Sequence, residues 1–253
     1  MDTAVITATS VGNYAEADSS VIITSVPVIP GVELEPAEAA QTGLPGATLV
    51  YTLSLTNTGN TADTFDLSAS GNAWEVSLSI TQTTLGAGAG TEVAVQVAVP
   101  AEVLAGESDN ASITATSQAD PAASDSSLLT STAEAVPGVL LVPAEAAQSG
   151  FPGETIIYTL HLTNTGNLTD TFELTALGNL WQVGMPVTLT LGAGAGTDMF
   201  VLVTSPSEAL PGDMDVVTIH VVSTTDESVM DEAVLTSSVP GVRVYLPLVL
   251  QQE

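Results

Sequence analysis

The chain has 253 residues without cysteine, and its 29 Asp and Glu residues stand against a single Arg243 and no lysine, giving a formal net charge of −28. This charge opposes binding to DNA, RNA or anionic lipid, and the missing cysteines exclude disulfides, a thiolate nucleophile and a cysteine-ligated zinc site. No segment predicts a transmembrane helix, because Thr, Ser, Gly or Pro interrupts every long apolar run.

The first residues predict two strands, over 2–10 and 18–26, that belong to the end of a repeat. AVITATS at 4–10 matches ASITATS at 111–117, at an offset of 107. Residues 1–29 are therefore predicted to be the C-terminal strands of an incomplete repeat, and a two-stranded hairpin is marginally stable by itself. We expect its apolar residues to form one half of an assembly interface, namely Val5, Ile6, Val21, Ile22 and Ile23.

Two complete units follow, and they align with each other along their length. PGVELEPAEAAQTGLPGATL at 30–49 corresponds to PGVLLVPAEAAQSGFPGETI at 137–156, and LGAGAGT recurs at 85–91 and 191–197. Self-similarity at a fixed spacing is typical of repeated structural units. A third copy starts at Pro240. The predicted domains are an incomplete repeat over 1–29, β-sandwich repeats over 30–136 and 137–239, and an apolar C-terminal strand over 240–253.

Each complete unit is predicted to consist of strands. In the first unit, Leu49, Tyr51, Leu53 and Leu55 alternate with more polar residues, and the residues from Val93 to Val99 alternate most regularly. A period of two indicates strands, and turns rich in Gly, Pro and Asn separate about seven of them in each unit. We therefore predict an all-β protein of tandem immunoglobulin-like antiparallel β-sandwiches with an incomplete N-terminal repeat.

The repeated pattern, with YTLxLTNTGNxxDTF, a following Trp, LGAGAGT and ITATS, resembles a known group of domains. It is similar to the bacterial and archaeal immunoglobulin-like repeats of secreted and surface proteins, including the domain attached to some α-galactosidases and the cell-adhesion-related domain of bacteria. The resemblance covers both complete units and, in part, both ends. It implies an extracellular or cell-surface location and a non-catalytic role.

Six of the ten aromatic residues occupy equivalent positions in the two units. They lie in phase with the inward residues of their strands, so we expect them in the two cores rather than on sugar-binding platforms. The pairs are Tyr51 and Tyr158, Phe65 and Phe172, and Trp74 and Trp181.

The second unit differs from the first on one outward face. Phe200 and Leu202 stand where the first unit has Ala94 and Gln96, and an immunoglobulin-like strand order places their strand beside the one carrying His161. Exposed apolar residues in one place indicate a contact surface, although single surface hydrophobics are common. The predicted surface patch is Phe200, Leu202 and His161.

Catalysis is not expected. The only histidines, His161 and His220, both alternate with inward apolar residues and so face outward, and LGAGAGT has neither the lysine nor the following helix of a phosphate-binding loop. Asp63 and Asp66 recur as Asp170 and Glu173, which indicates a structural role at a turn. We predict no catalytic, cofactor-binding or metal-binding residues, with calcium held by clustered carboxylates as the alternative.

The C-terminal segment replaces the polar PAEAAQ of the earlier copies with apolar residues. Its YLPLV motif resembles the short endings of secreted proteins from green non-sulfur bacteria. An open apolar strand is a template for pairing with another chain. The residues predicted to form the other half of the assembly interface are Val242, Val244, Tyr245, Leu246, Leu248, Val249 and Leu250.

Together these patterns predict a non-catalytic extracellular structural protein that self-associates into a homopolymer. Its subunits are expected to join head to tail, by strand donation, in a surface filament or stalk. The alternative is an adhesin or a carbohydrate-binding spacer module, as a fragment of a larger secreted protein. The first residues lack the basic region and apolar core of a signal peptide, so an export signal is expected outside this sequence.

Overall fold

The computed structural model describes residues 2–241, which form twenty strands and contain no helix long and apolar enough to cross a bilayer. Two strands precede the complete repeats, and nine lie in each repeat. The strands are β1 (Asp2–Thr9), β2 (Ala17–Thr24), β3 (Val32–Glu35), β4 (Glu38–Gly43), β5 (Thr48–Asn57), β6 (Asp63–Ser70), β7 (Glu75–Leu78), β8 (Gln82–Leu85), β9 (Gly90–Ala98), β10 (Ser108–Ser117), β11 (Ser124–Ala133), β12 (Val139–Val142), β13 (Glu145–Ser149), β14 (Thr155–Asn164), β15 (Asp170–Leu177), β16 (Gln182–Gly184), β17 (Thr188–Leu191), β18 (Gly196–Thr204), β19 (Met214–Ser223) and β20 (Met230–Ser238).

Both complete repeats have the same two sheets. In the first, a sheet of order β3-β5-β9-β7 accompanies one of order β4-β11-β10-β6-β8, and in the second the orders are β12-β14-β18-β16 and β13-β20-β19-β15-β17. The alternation in sequence decides which side chains are buried, because successive residues of a strand point to opposite faces. Leu53, Leu55, Val93 and Val95 are all fully buried. The predicted all-β tandem of sandwiches is confirmed.

The repeated aromatic residues are mostly core residues. Tyr51, Tyr158, Phe65 and Phe172 are among the largest fully buried side chains of the described residues, and Trp181 is buried as well. The Tyr158 hydroxyl also donates a hydrogen bond to the backbone oxygen of Thr236, at 2.7 Å. Trp74 was expected in the core too, but it is only partly buried.

Two features of the sandwiches go beyond the predicted pattern. Each repeat has nine strands rather than about seven. One additional strand arises because the chain leaves one sheet after β3 or β12 and enters the other as β4 or β13, and the second is the short edge strand β8 or β17. In addition, β13 runs parallel to β20, with Glu145 beside Val234 and Ser149 beside Ser238. The first strand of this five-stranded sheet is therefore the neighbour of the last strand of the repeat.

The chain divides into two compact units. One holds the residues up to Gln41 together with Thr48–Ala98 and Asp109–Ser131, and the other holds Thr42–Ala47, Val99–Ser108 and the residues from Thr132 onwards. Loops 42–47 and 99–108 thus belong to the second compact unit. The domain boundaries predicted from the repeat remain predictions.

The repeated NTGN motif has a structural explanation in a buried asparagine. Asn164 is fully buried, and its side-chain Nδ2 donates to the backbone oxygens of Leu168 at 2.8 Å and Leu191 at 3.0 Å. Its Oδ1 accepts the backbone N–H of Gly166 at 2.9 Å. Gly166 itself has no room for a side chain, since a Cβ would lie 2.5 Å from the backbone oxygen of Val136. Asn57 makes the same bonds in the first repeat.

The recurring carboxylates at 63 and 170 hold turns in place, in agreement with their expected structural role. Asp170 is buried, and it accepts hydrogen bonds from the hydroxyls of Ser223 at 2.5 Å and Thr225 at 2.8 Å. Asp63 accepts the equivalent bond from Ser117. Both carboxylates are therefore engaged within the turns.

We predict that Asn164→Ala lowers the free energy of unfolding by about 2–4 kcal/mol, because it leaves buried backbone groups without partners. Asn110→Ala is the control, since Asn110 is exposed and its loss is expected to change stability by about 0.5 kcal/mol or less. Chemical denaturation followed by tryptophan fluorescence measures both. Equal stability of the two variants would contradict the role assigned to Asn164.

Candidate functional site

The β1–β2 hairpin is a sheet of its own. Its strands pair antiparallel with each other, with Val5 opposite Val21 and Ala4 opposite Ile22, and within residues 2–241 neither strand pairs with a third. Every residue of both strands is exposed. The five hairpin residues predicted for the assembly interface therefore lie on one two-stranded sheet, with Val5, Val21 and Ile23 on one face and Ile6 and Ile22 on the other.

The complete repeats show how this hairpin is buried when its neighbours are present. At the offset of 107, β1 corresponds to β10 and β2 to β11. Ile113 and Leu129 are 0% exposed in the first repeat, whereas the equivalent Ile6 and Ile22 are 57% and 47% exposed. Fully burying one such side chain contributes about 1.5–3 kcal/mol. Within the part of the chain that the structure describes, the hairpin thus exposes the face that a complete repeat buries.

Both outer edges of the hairpin are also unpaired in the described structure. In the complete repeat, β4 occupies the outer edge of β11, and β6 occupies that of β10. The corresponding edges of β2 and β1 offer their backbone N–H and C=O groups to solvent. Such an edge accepts a strand from another chain through main-chain hydrogen bonds.

Asp18 belongs to this surface and was not predicted. It corresponds to Asp125 and Asp231, each of which accepts the N–H of the next residue with Oδ1. The second oxygen of Asp125 accepts the backbone N–H of Leu34 at 2.8 Å, and that of Asp231 accepts the N–H of Leu141 at 2.7 Å. Asp18 makes only the first of these bonds within residues 2–241. Its recurrence at the equivalent position of all three copies is the signal in the sequence that could have identified it.

The predicted C-terminal half of the assembly interface lies outside the described residues. Its residues are Val242, Val244, Tyr245, Leu246, Leu248, Val249 and Leu250. Their part in the interface remains a prediction.

A second apolar surface lies on the outer face of the sheet β12-β14-β18-β16. Phe200 and Leu202 are 55% and 39% exposed, opposite Thr159 and Ile157 on β14. The same face carries further exposed apolar side chains that the sequence analysis missed, on β12 and β14. They are Leu140, Val142 and Ile157.

The missed residues could have been found by comparing the two copies position by position. Leu140 and Val142 replace Glu33 and Glu35 of the first repeat, since the segment VELE at 32–35 corresponds to VLLV at 139–142. Both copies present these positions outward. The face is therefore acidic in one repeat and apolar in the other.

His161 borders this surface and lies beside a carboxylate. Its Nδ1 lies 2.7 Å from Oδ1 of Asp198, and the two side chains are 47% and 64% exposed. Exposed pairs of this kind contribute little to stability. His220 is partly exposed and lies opposite Glu232 and Thr175.

The carboxylates of the described residues do not gather into a metal-binding group of three or more. Two of them have shifted pKa values. Side-chain donation from Gln82, then from Gln118, lowers the pKa of Asp66, and the hydroxyl and backbone N–H of Ser228 lower that of Asp226. Both groups are fully exposed, so these shifts mark local hydrogen bonding at turns.

A groove of about 510 Å³ lies among loops of the second compact unit. Its lining is apolar apart from Glu102, Thr165 and Asn167. The Asn167 side chain is already engaged, because its Nδ2 donates to the backbone oxygen of Glu134 at 2.9 Å and its Oδ1 accepts the N–H of Val136 at 2.8 Å. The polar atoms of the Asn167 side chain are therefore already used within the protein.

Comparison with known proteins supports the fold. Residues 50–131, fewer than half of the chain, match the family described as "IG-like fold at C-terminal of FixG, putative oxidoreductase". This match confirms the predicted immunoglobulin-like fold. No curated protein matches the chain.

Solved structures resemble the chain only distantly. A protein of unknown function from Porphyromonas gingivalis W83 is 16% identical, with 82% of this chain and 99% of that chain covered and a TM-score of 0.35. PapD-like domain 7 of human CEP192 is 17% identical, with 45% and 92% covered and a TM-score of 0.35. The periplasmic chaperone SfaE is 11% identical, with 83% and 100% covered and a TM-score of 0.32.

We predict that the double variant Phe200→Ala, Leu202→Gln keeps its free energy of unfolding within about 0.5 kcal/mol of the parent. The two new residues are those that the first repeat has at the equivalent positions. The exchange should nevertheless reduce the binding of an apolar fluorescent dye, because it removes exposed apolar area. Thermal unfolding and dye titration measure the two effects. A loss of stability well beyond this range would show that the patch is packed rather than exposed.

Proposed function

We propose that the chain is a non-catalytic structural protein of the cell surface or extracellular space, whose copies join head to tail by β-strand donation. One observation carries the proposal: Ile6 and Ile22 are about half exposed, while their equivalents Ile113 and Leu129 are fully buried. A strand supplied by another copy pairs with one open edge of the hairpin through main-chain hydrogen bonds. Because this contact joins two different surfaces, each copy can bind one further copy at either end. The copies therefore form a filament or stalk.

Composition supports a structural role over a catalytic one. The chain has no cysteine or lysine, its buried carboxylates are engaged at turns, and its histidines lie on outer sheet faces. The sequence resemblance to the immunoglobulin-like repeats of secreted and surface proteins supports the same proposal. Such repeats serve as spacers, stalks and binding modules.

The full-length chain, observed by negative-stain electron microscopy, is expected to form polymers that disappear when residues 240–253 are deleted. Met230→Ser is the matched control, because it replaces another exposed apolar residue with its counterpart from the first repeat and should leave polymers intact. Polymers that survive the deletion would refute strand donation by the tail.

Trypsin provides the same test without mutagenesis. Arg243 is the single Lys or Arg of the chain, so cleavage removes only residues 244–253. Cleaved protein should remain folded but should not assemble. In polymers formed beforehand, Arg243 should be protected, which intact-mass analysis detects.

Assembly should also depend on salt. Each copy carries a formal charge of −28, so copies repel one another, and ions screen this repulsion over about 10 Å at 0.1 M. We predict more polymer, by light scattering, at 0.5 M than at 0.02 M sodium chloride. Polymer that dissolves as salt rises would indicate a contact between opposite charges instead.

The second candidate function is an adhesin or carbohydrate-binding spacer within a larger secreted protein. The apolar outer face around Phe200 and Leu202 favours it, because the first repeat has polar residues or alanine at most of the same positions. Binding to a glycan array that is lost in the Phe200→Ala, Leu202→Gln exchange would support this candidate. Intact mass of native material shows whether the chain continues beyond these residues.

A further inference from the structure

The outer face of the sheet β12-β14-β18-β16 carries far fewer acidic residues than its counterpart in the first repeat. There, the strands β3, β5, β7 and β9 present four exposed glutamates, which are Glu33, Glu35, Glu75 and Glu92. On the four strands of the second repeat, Asp198 is the only acidic residue. Two copies of a chain with a net charge of −28 repel each other. This repulsion is therefore much weaker at this face than at the equivalent face of the first repeat.

The positions that have lost their charge are apolar rather than merely neutral. Leu140 and Val142 stand in place of two of the glutamates, and both are exposed. Together with Ile157, Phe200 and Leu202, they make an apolar surface that spans three neighbouring strands. Large exposed apolar patches mark interaction sites, and the centres of protein interfaces are poor in charge and rich in aromatic residues. The face thus has the composition of a protein contact.

The strand register arranges the centre of this face in three rows between β14 and β18. In order along β14, the rows are Ile157 opposite Leu202, Thr159 opposite Phe200, and His161 opposite Asp198. All six residues are exposed, so their side chains lie on the outer face of the sheet. The first two rows are mainly apolar, and the third holds an imidazole beside a carboxylate.

These rows match a second copy of themselves. When a two-fold axis runs along the strands, between β14 and β18, β14 of one copy lies over β18 of the other at the same height. Such a contact is isologous, so each match occurs twice, and face-to-face sheets pack about 10 Å apart. The residues that meet are Ile157 with Leu202, Thr159 with Phe200, and His161 with Asp198 of the second copy.

A two-fold axis across the strands gives a poorer match. It inverts the order of the rows about Phe200, so His161 lies over Ile157 of the second copy and Asp198 lies over Leu202. Moving polar or charged groups from water to an apolar surface costs free energy when no hydrogen bond replaces those to water. The axis along the strands is favoured because it sets imidazole against carboxylate and apolar residues against each other.

We infer that a second copy of this chain covers the outer face of β12-β14-β18-β16, in an isologous dimer whose two-fold axis runs along β14 and β18. Charge complementarity selects this occupant, because a second copy brings an imidazole to Asp198 and a carboxylate to His161, together with an equally apolar surface. The contact uses only described residues of the second repeat, so it does not depend on strand donation. It joins copies side by side, whereas strand donation joins them head to tail.

Sedimentation velocity of the full-length chain over a dilution series tests the dimer. Leu202→Glu should raise its dissociation constant at least tenfold, because the variant places a carboxylate from each copy in the apolar contact. Gln96→Glu is the matched control, since Gln96 is the exposed equivalent in the first repeat and the variant adds the same charge. It should change the constant less than twofold. Equal weakening by the two variants would show that net charge, and not this face, governs association.

Dimerisation also raises apparent stability by mass action. The unfolding of the double variant Phe200→Ala, Leu202→Gln is therefore compared with that of the parent at a dilution at which both are monomeric. At concentrations above the dissociation constant, the parent should be the more stable of the two. Stability of the parent that does not change with its concentration would contradict the dimer.

Single cysteine variants test which residues meet, because the chain has no cysteine of its own. Thr159 lies in the central row, so Thr159→Cys should give a covalent dimer with a thiol cross-linker that spans two packed sheets, about 10 Å apart. Thr52→Cys should give none, since Thr52 is the exposed equivalent of Thr159 on the acidic face of the first repeat. A dimer that forms as readily from Thr52→Cys would overturn the choice of face.

Two further variants determine the direction of the axis. Thr155 and Thr163 lie on the same face, on either side of the central row. With the axis along the strands, Thr163→Cys should cross-link to itself and not to Thr155→Cys, because eight residues of a strand span about 26 Å and the linker is shorter than this. A dimer from the mixture of Thr163→Cys and Thr155→Cys would overturn the match of His161 with Asp198.

The outcomes separate this inference from the proposed function. Polymers that form without a Thr159→Cys dimer and without an effect of Leu202→Glu overturn the dimer, while strand donation stands. Dimers without polymers support the dimer and overturn strand donation. A chain that stays monomeric and binds a glycan array, with binding lost in Leu202→Glu, assigns the face to a sugar and overturns the dimer.

Discussion

A β-sheet with one apolar face is stable in water only when a second layer covers that face. Both complete repeats meet this condition, with Phe65 and Tyr51 buried in one and Phe172 and Tyr158 in the other. The hairpin at the start has the same residue pattern, and within residues 2–241 no second layer covers it. The proposal of strand donation follows from this difference, because the complete repeats show which neighbours such a hairpin has in a folded sandwich.

The two copies also show which surfaces are free to vary. Their buried positions change little, since Tyr, Phe and the turn asparagines recur at equivalent places. Their outer faces differ where Glu33 and Glu35 give way to Leu140 and Val142. A fold that tolerates such exchanges can carry a binding surface on one repeat while the other remains a solvated spacer.

Much of the fold was accessible from the sequence, because alternation determines which face of a strand is buried. That argument placed Leu53 and Val93 inside and His161 and Phe200 outside, as the structure has them. Alternation contains no information about which strand lies alongside or in which direction it runs. The parallel pairing of β13 was therefore missed, and so was its separation from β12, since EAAQS shows no apolar period.

The candidate surfaces were only partly accessible for a related reason. Apolar residues such as Ile6 and Ile22 stand out in the sequence as candidates for an interface. Asp18, in contrast, is one of many acidic residues in a strongly acidic chain. Its importance depends on the N–H groups of Leu34 and Leu141, which lie about ninety residues away from Asp125 and Asp231. Only the folded repeats bring these groups together.

The parallel neighbours β13 and β20 have a mechanical consequence. The chain enters β13 at Glu145 and leaves β20 at Ser238, and these two points lie at opposite ends of the strand pair. A pulling force between them acts along the strands, so it loads the backbone hydrogen bonds of the pair together in shear. An antiparallel pair with both points at the same end would open one bond after another, like a zipper. A repeat of this topology therefore resists stretching along these two strands.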